Sequence, residues 1–199
     1  MLSGNTLLAR GFGGVERKLA FGYADSMSEI APIIITAMMG KAEQLWADSL
    51  RAAHYPGERN VVKAHITLFH HLPPQHWPEI KARLAAIARK CAPPPAMLSD
   101  VMLLGRGVAY RVDCPDLLSM RDELAEGLTG LLTPQDQARP RLHITVQNKV
   151  EPPVAKALYT ELSASFRPRP FTITGLSAYY YRGGPWDAIQ NWSFSGRSG

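Results

Sequence analysis

Two short stretches carry the residue types that acid-base chemistry needs. His65-Ile66-Thr67 and His143-Ile144-Thr145 each place an imidazole two residues before a hydroxyl, followed by an aliphatic residue, Leu68 or Val146. On a strand, side chains at i and i+2 share a face. His65 then projects with Thr67, and His143 with Thr145, while Ile66 and Ile144 turn into a core. Imidazole titrates near neutrality, so one ring can accept a proton while the other donates one. Opposed across a cleft, such a pair meets the demands of phosphodiester cleavage. One ring takes a proton from the attacking water or hydroxyl, and the other protonates a leaving alkoxide. Attack and departure are in line on opposite sides of phosphorus, so the two histidines should flank the phosphate. Thr67 and Thr145 can donate hydrogen bonds to its non-bridging oxygens. Which histidine is the base stays open at this level.

The elements around the motifs repeat. Pro32 to Met39 is short, β-branched and apolar, and reads as a buried strand. Ala42, Leu45, Trp46, Ser49, Leu50 and Ala53 then share a helical face that ends near Pro56-Gly57. Val61 to His70 is β-rich and carries the first motif, and Trp77 to Cys91 has helical spacing. Met97–Leu104 and Val108–Cys114 form a hairpin around Gly105-Arg106-Gly107. Pro115 opens a third helix, residues 130–140 read as a polar loop, and Leu142–Val146 carries the second motif. Pro152-Pro153 opens a fourth helix, and strands at 171–181 and 188–194 close the chain. Each half therefore runs strand, helix, motif strand, helix, strand, a repeat of pattern without a repeat of identity. Two α+β lobes related by a rough two-fold axis, with a cleft between them, would let each lobe present one histidine. The expected domain is a single bilobal unit over residues 31–199. Residues 1–30, rich in Gly, Ser and Ala, read as a loosely ordered N-terminal extension.

Bulk properties narrow the classes. A chain of 199 residues that is 46% apolar has material for a sizeable core. No apolar run is long enough to span a bilayer, and the first thirty residues lack the pattern of a secretory signal. The net charge of +5 permits a polyanionic partner without demanding one. Two cysteines, Cys91 and Cys114, make no disulfide framework and no metal-binding pair, so free thiols in a cytoplasmic protein are expected. His70, His71 and His76 cluster without Cys, Asp or Glu at ligand spacing, and no metal or other cofactor is expected.

Ala64-His65-Ile66-Thr67-Leu68-Phe69 with Leu72-Pro73, and Leu142-His143-Ile144-Thr145-Val146, resemble the paired signatures of the two-histidine phosphoesterase superfamily. More narrowly they resemble its bacterial 2′-5′ RNA ligase-like branch. Leu50-Arg51, His54-Tyr55-Pro56 and Gly183-Gly184-Pro185-Trp186 are similar to that branch too, and the likeness covers about residues 32–195. It implies an α+β fold of two pseudo-symmetric lobes of antiparallel sheet, helices outside and a central cleft. It implies hydrolysis of 2′,3′-cyclic phosphates at RNA ends, or of small cyclic nucleotides, to a 2′-phosphate. His65 and His143 would be the acid-base pair, with Thr67 and Thr145 on the phosphate. An RNA terminus or cyclic nucleotide is the expected partner, with no membrane, and a monomer is the expected state. Two rival readings are a non-catalytic RNA or nucleotide-binding module and a 2′-5′ RNA end-joining enzyme.

Further candidate substrate contacts are Arg51, Arg106 and Arg141 for phosphate, and Phe69 at the end of the first motif. Alternation puts Tyr179 and Tyr181 on one face, where Tyr181 is a candidate for stacking on a base. Trp186 reads either as an anchor of the Gly183-Gly184-Pro185 turn or as part of the cleft rim.

Overall fold

The computed structural model describes residues 31–197. The expected N-terminal extension lies outside the described residues. Among those described, seven strands and five helices follow in the order β1 (Ile33–Met39), α1 (Lys41–His54), β2 (Ile66–Leu72), α2 (Trp77–Lys90), β3 (Pro95–Leu103), β4 (Val108–Asp113), α3 (Pro115–Glu126), α4 (Pro134–Gln137), β5 (His143–Gln147), α5 (Pro152–Ser165), β6 (Arg169–Tyr180) and β7 (Asp187–Ser193). Prolines occupy the first turn of α2, α3, α4 and α5, where a missing N–H costs nothing.

Every strand pairing is antiparallel, and the sheet runs β2-β1-β6-β3-β4-β5 with β7 also on β6. The long strand β6 serves two half-sheets. Its residues from Ile173 to Tyr180 pair with β1, and Gly175 to Tyr180 also pair with β7. Its first residues, Arg169 to Thr172, pair with β3. The motif strands β2 and β5 are the two ends of this path, and the sheet curls until they touch. This is the expected α+β architecture of antiparallel sheet with helices outside.

The helices are exchanged between the half-sheets. Helix α1, which connects β1 to β2, packs against β5, and its Trp46 meets Tyr110 of β4 edge-on at 5.0 Å. Helix α3, which connects β4 to β5, lies beside α2 and sets Arg121 over the ring of Phe69 in β2. Helix α2 buries Ile80, Leu84, Ile87 and Ala88, and α5 packs on β3 and β4. Among the described residues no helix is long and apolar enough to cross a membrane.

Two local readings change. Residues 61–65 are not strand: the Ala64 N–H is held by the Asp48 carboxylate and its carbonyl by Gln44 of α1, which withdraws them from a ladder. The loop at 130–140 contains the single-turn helix α4, capped by Thr133. Its Asp136 is 1% exposed and accepts the N–H groups of His70 and His71 at 2.8 Å, fastening the loop to β2. Burial alone would raise the Asp136 carboxyl, but the bonds from the His70 ring and from both amides outweigh it and hold it below the usual range.

Candidate active site

Each motif histidine is oriented by the same device. Nδ1–H of His65 donates to the carbonyl of Lys63 at 2.8 Å, and Nδ1–H of His143 to the carbonyl of Arg141 at 2.7 Å. The acceptor is two residues back in both cases. With Nδ1 occupied as donor, Nε2 is the nitrogen left for proton transfer in each ring. Thr67 and Thr145 follow on the same faces, half-buried.

Directly after each threonine the ladder slips by one residue. Thr36 pairs with Thr67 but Ile35 with Phe69, and Ala109 pairs with Thr145 but Val108 with Gln147. A β-bulge therefore falls at Leu68 and at Val146. It turns the next residue inward. Phe69 is 0% exposed, packed in the core under Arg121, so it is not a substrate contact. Strict alternation would have put it beside Thr67; the bulge reverses that. Gln147 is likewise buried, and its amide oxygen has no partner among the described residues.

The two sides of the cleft differ. The His65 ring lies 4.4 Å from that of Trp186, which in turn sits 5.6 Å from Tyr179. Trp186 is thus part of the cleft wall, covering His65. Burial is the main reason that the His65 imidazolium is pushed down to about 4; the Lys63 carbonyl opposes this, and the charges of Arg51 and His143 add to it. Beside His65 opens a cavity of about 390 Å³ with Met38, Lys63, Tyr179 and Trp186 in its walls. Across its floor runs a polar row in strand register, Thr36–Ser177–Asn191, one residue from each of three strands, and Thr67 continues the row in β2.

Arg51 is 2% exposed. Its guanidinium donates to the carbonyl of Thr145 at 2.8 Å and to Asn60 Oδ1 at 3.1 Å, with Tyr55 stacked at 4.1 Å. It pins β5 to α1 and brings a buried positive charge close to His65. Arg106 is a structural residue instead. It pairs with Glu151 at 2.7 Å and with the Val150 carbonyl. The hairpin places it beyond the Gln147 end of β5, roughly 13 Å of strand from His143. Tyr181 is 46% exposed just past β6, and Tyr179 takes the place at the cavity expected of it. Arg141 is exposed, with its carbonyl on His143. Sequence reading missed the floor row, although a lone Thr36 in an apolar strand is a signal for it. It also missed Arg111, opposite His143 in the β4–β5 ladder. Among the described residues no three His, Cys, Asp or Glu side chains gather as a metal site.

The family model of the 2′-5′ RNA ligase superfamily matches residues 40–185. The chain belongs to that superfamily. The match takes in both motif strands, Arg51 and the turn before Trp186. Solved structures share the fold at low identity. TT0787 of Thermus thermophilus aligns with a TM-score of 0.58 at 16% identity, covering 84% of this chain and 100% of that one. E. coli LigT complexed with 3′-AMP aligns with a TM-score of 0.57 at 15% identity, covering 83% and 98%. E. coli LigT complexed with NADP+ gives 0.55 at 16%, again covering 83% and 98%. No curated protein matches the sequence.

Proposed function

We propose that this superfamily member is a metal-independent cyclic phosphodiesterase that opens 2′,3′-cyclic phosphates at RNA ends, or related small cyclic nucleotides, to a 2′-phosphate. The observation that carries the reading is the paired device of the cleft. Two imidazoles, each with Nδ1 committed to a carbonyl and Nε2 free, stand with a threonine beside each. Membership of the superfamily supports phosphoester chemistry. The nucleotides bound to E. coli LigT support a nucleotide ligand.

In this reaction water attacks phosphorus opposite the 3′ oxygen. His65, held neutral by burial, takes the water proton on Nε2. The P–O3′ bond breaks and imidazolium His143 protonates the departing oxygen, leaving a 3′-hydroxyl and a 2′-monoester. Thr67 and Thr145 donate to the non-bridging oxygens, where charge accumulates. Exchange with solvent then resets both rings. Arg51, behind Thr145, lowers the cost of bringing an anion into the cleft. One chain supplies both histidines, so a monomer suffices. Residues 31–197 act as one unit because β6 belongs to both half-sheets. Free Cys91 and Cys114 fit a cytoplasmic location.

Phosphorus NMR with 2′,3′-cyclic nucleotides and a short RNA bearing a cyclic end, in excess chelator, tests this. The cyclic signal should convert to a 2′-monoester with the wild type. It should convert about 10²–10⁴-fold more slowly with His65→Ala or His143→Ala. Near-normal turnover by either variant refutes the assigned roles, and tight binding without turnover points to a binding module instead.

A further inference from the structure

The two halves of the cleft differ in what stands beside each histidine. Met38, one residue on from the Ala37–Ile66 pair, lines the cavity together with His65. The equivalent place in the other half-sheet holds Arg111, directly opposite His143 in the β4–β5 ladder. Side chains so paired leave the same face with Cβ atoms about 5 Å apart. Arg111 is therefore level with His143, and its longer stem can carry the guanidinium to the group that the imidazole serves. The next row differs as well. Thr67 has Thr36 and then Ser177 beside it, whereas Thr145 has Ala109 and then Met102. The His65 half lays neutral hydroxyls along its floor. The His143 half has an apolar floor and one fixed cation.

That cation is uncommitted. Arg111 is half-buried, and its Nε is buried without a hydrogen-bond partner among the described residues. It enters no ion pair among them, unlike Arg106 with Glu151 or Arg182 with Asp187. Asp100, its ladder neighbour on β3, turns a carboxylate oxygen back to the Val101 N–H at 2.8 Å. Beyond Arg111 the Val112 N–H donates to the Leu142 carbonyl at 2.9 Å, so Asp113 stands level with Arg141 and faces that charge instead. A buried guanidinium donor without a protein acceptor is unfavourable in the empty cleft, and an anion beside His143 would complete it.

We propose that Arg111 is a further catalytic residue, which binds the reacting phosphate through the non-bridging oxygen on the His143 side. This rests on the proposed reading of the cleft and adds a residue to its machinery. His143 gives its proton to the departing 3′ oxygen, while Arg111 keeps all of its own. The guanidinium neutralises charge on the non-bridging oxygen as water attacks and the P–O3′ bond breaks. Its planar fork offers parallel donors where Thr145 offers a single hydroxyl, and Met38 offers the His65 side nothing of the kind.

Uridine 2′,3′-cyclic phosphate and the two diastereomers of its phosphorothioate test the contact, because sulfur replaces one non-bridging oxygen in one diastereomer and the other in the second. Arg111→Met makes the His143 side resemble the His65 side. It should lower kcat about 10²–10³-fold, the usual effect of losing one donor to a charged oxygen. It should leave the urea unfolding midpoint unchanged or higher, since no protein acceptor loses its donor. The wild type should prefer one diastereomer, and Arg111→Met should bring the two rates together. Arg111→Lys should recover part of both rate and preference. A wild type indifferent to the diastereomers overturns the proposal. So does an Arg111→Met enzyme with kcat within about tenfold of wild type, or one that loses rate and stability with the preference intact. Calorimetric titration with uridine 2′-monophosphate separates this from the cyclic phosphodiesterase reading. Arg111→Met should weaken binding about tenfold or more, as expected for a charged hydrogen bond. That loss without any turnover by the wild type would sink the phosphodiesterase reading and leave the contact standing, and turnover without that loss would do the reverse.

Discussion

Removing the Trp186 ring should return His65 to ordinary titration. In the native protein the imidazolium is pushed down to about 4, chiefly by burial, and the Trp186 ring lies 4.4 Å away. The depression from 6.5 corresponds to roughly 3 kcal/mol against the charged form, at ~1.4 kcal/mol per unit. A histidine whose folded value is depressed costs no stability above 6.5. It costs progressively more as the pH falls from there through about 4, reaching that full amount below. Trp186→Ala admits water to the ring. The nearby charges of Arg51, His143 and His70 remain, so His65 should rise by at least one unit without fully reaching 6.5. The Cε1–H resonance, assigned with a His65→Gln variant, reads this directly. With His65 as base, the acid limb of kcat/KM should move upward by the same amount, and stability should fall less steeply between pH 6.5 and 4. If His65 still titrates near 4 in Trp186→Ala, the argument that this ring keeps the base neutral is wrong.

Two other perturbations separate positioning from packing. Arg51→Met deletes charged donors to the Thr145 carbonyl and Asn60 and leaves both acceptors in a buried place. It should cost about 2–3 kcal/mol in urea unfolding and also lower kcat/KM, because β5 loses its tie to α1. A variant with reduced stability but unchanged kcat/KM would remove Arg51 from the site. Asp136→Ala strands the amides of His70 and His71, at about 1–3 kcal/mol each. Because the folded carboxyl lies below its usual range, its stabilisation is present above the ordinary aspartate pKa and lost as the pH falls through the folded value. The stability gap between wild type and Asp136→Ala should therefore narrow towards pH 2, as followed by circular dichroism.

The placement of the two His-x-Thr motifs was legible because it rests on local pattern. His-x-Thr on a strand puts both side chains on one face, and prolines and apolar spacing marked the helices around it. What escaped depends on partners distant in sequence. Nothing in Thr67-Leu68-Phe69 or Thr145-Val146-Gln147 tells that the ladder slips there, because a bulge is a property of two strands. Phe69 was therefore assigned to the wrong face, by a rule that holds only up to Thr67. Arg106 looked like any cleft arginine until register placed it at the far end of the hairpin. Arg111 was hidden for the same reason, since its significance comes from standing across from His143. Asp136 sat in a loop whose role is fixed only by the amides of β2.

The exchange of α1 and α3 between half-sheets bears on how the molecule is made. Helix α1 leaves the ribosome some ninety residues before β5, the strand it packs against. Until β4 and β5 arrive, the face bearing Trp46 and Ala47 lacks its partners, and neither half can complete its interior alone. A chain halted after β3 should stay unfolded and sticky, and consolidation should await β6, which stitches both half-sheets together. The same interlock forbids the halves to swing apart as rigid bodies. The gap between the two imidazoles is thus set once, at folding, and substrates must fit an aperture of fixed width.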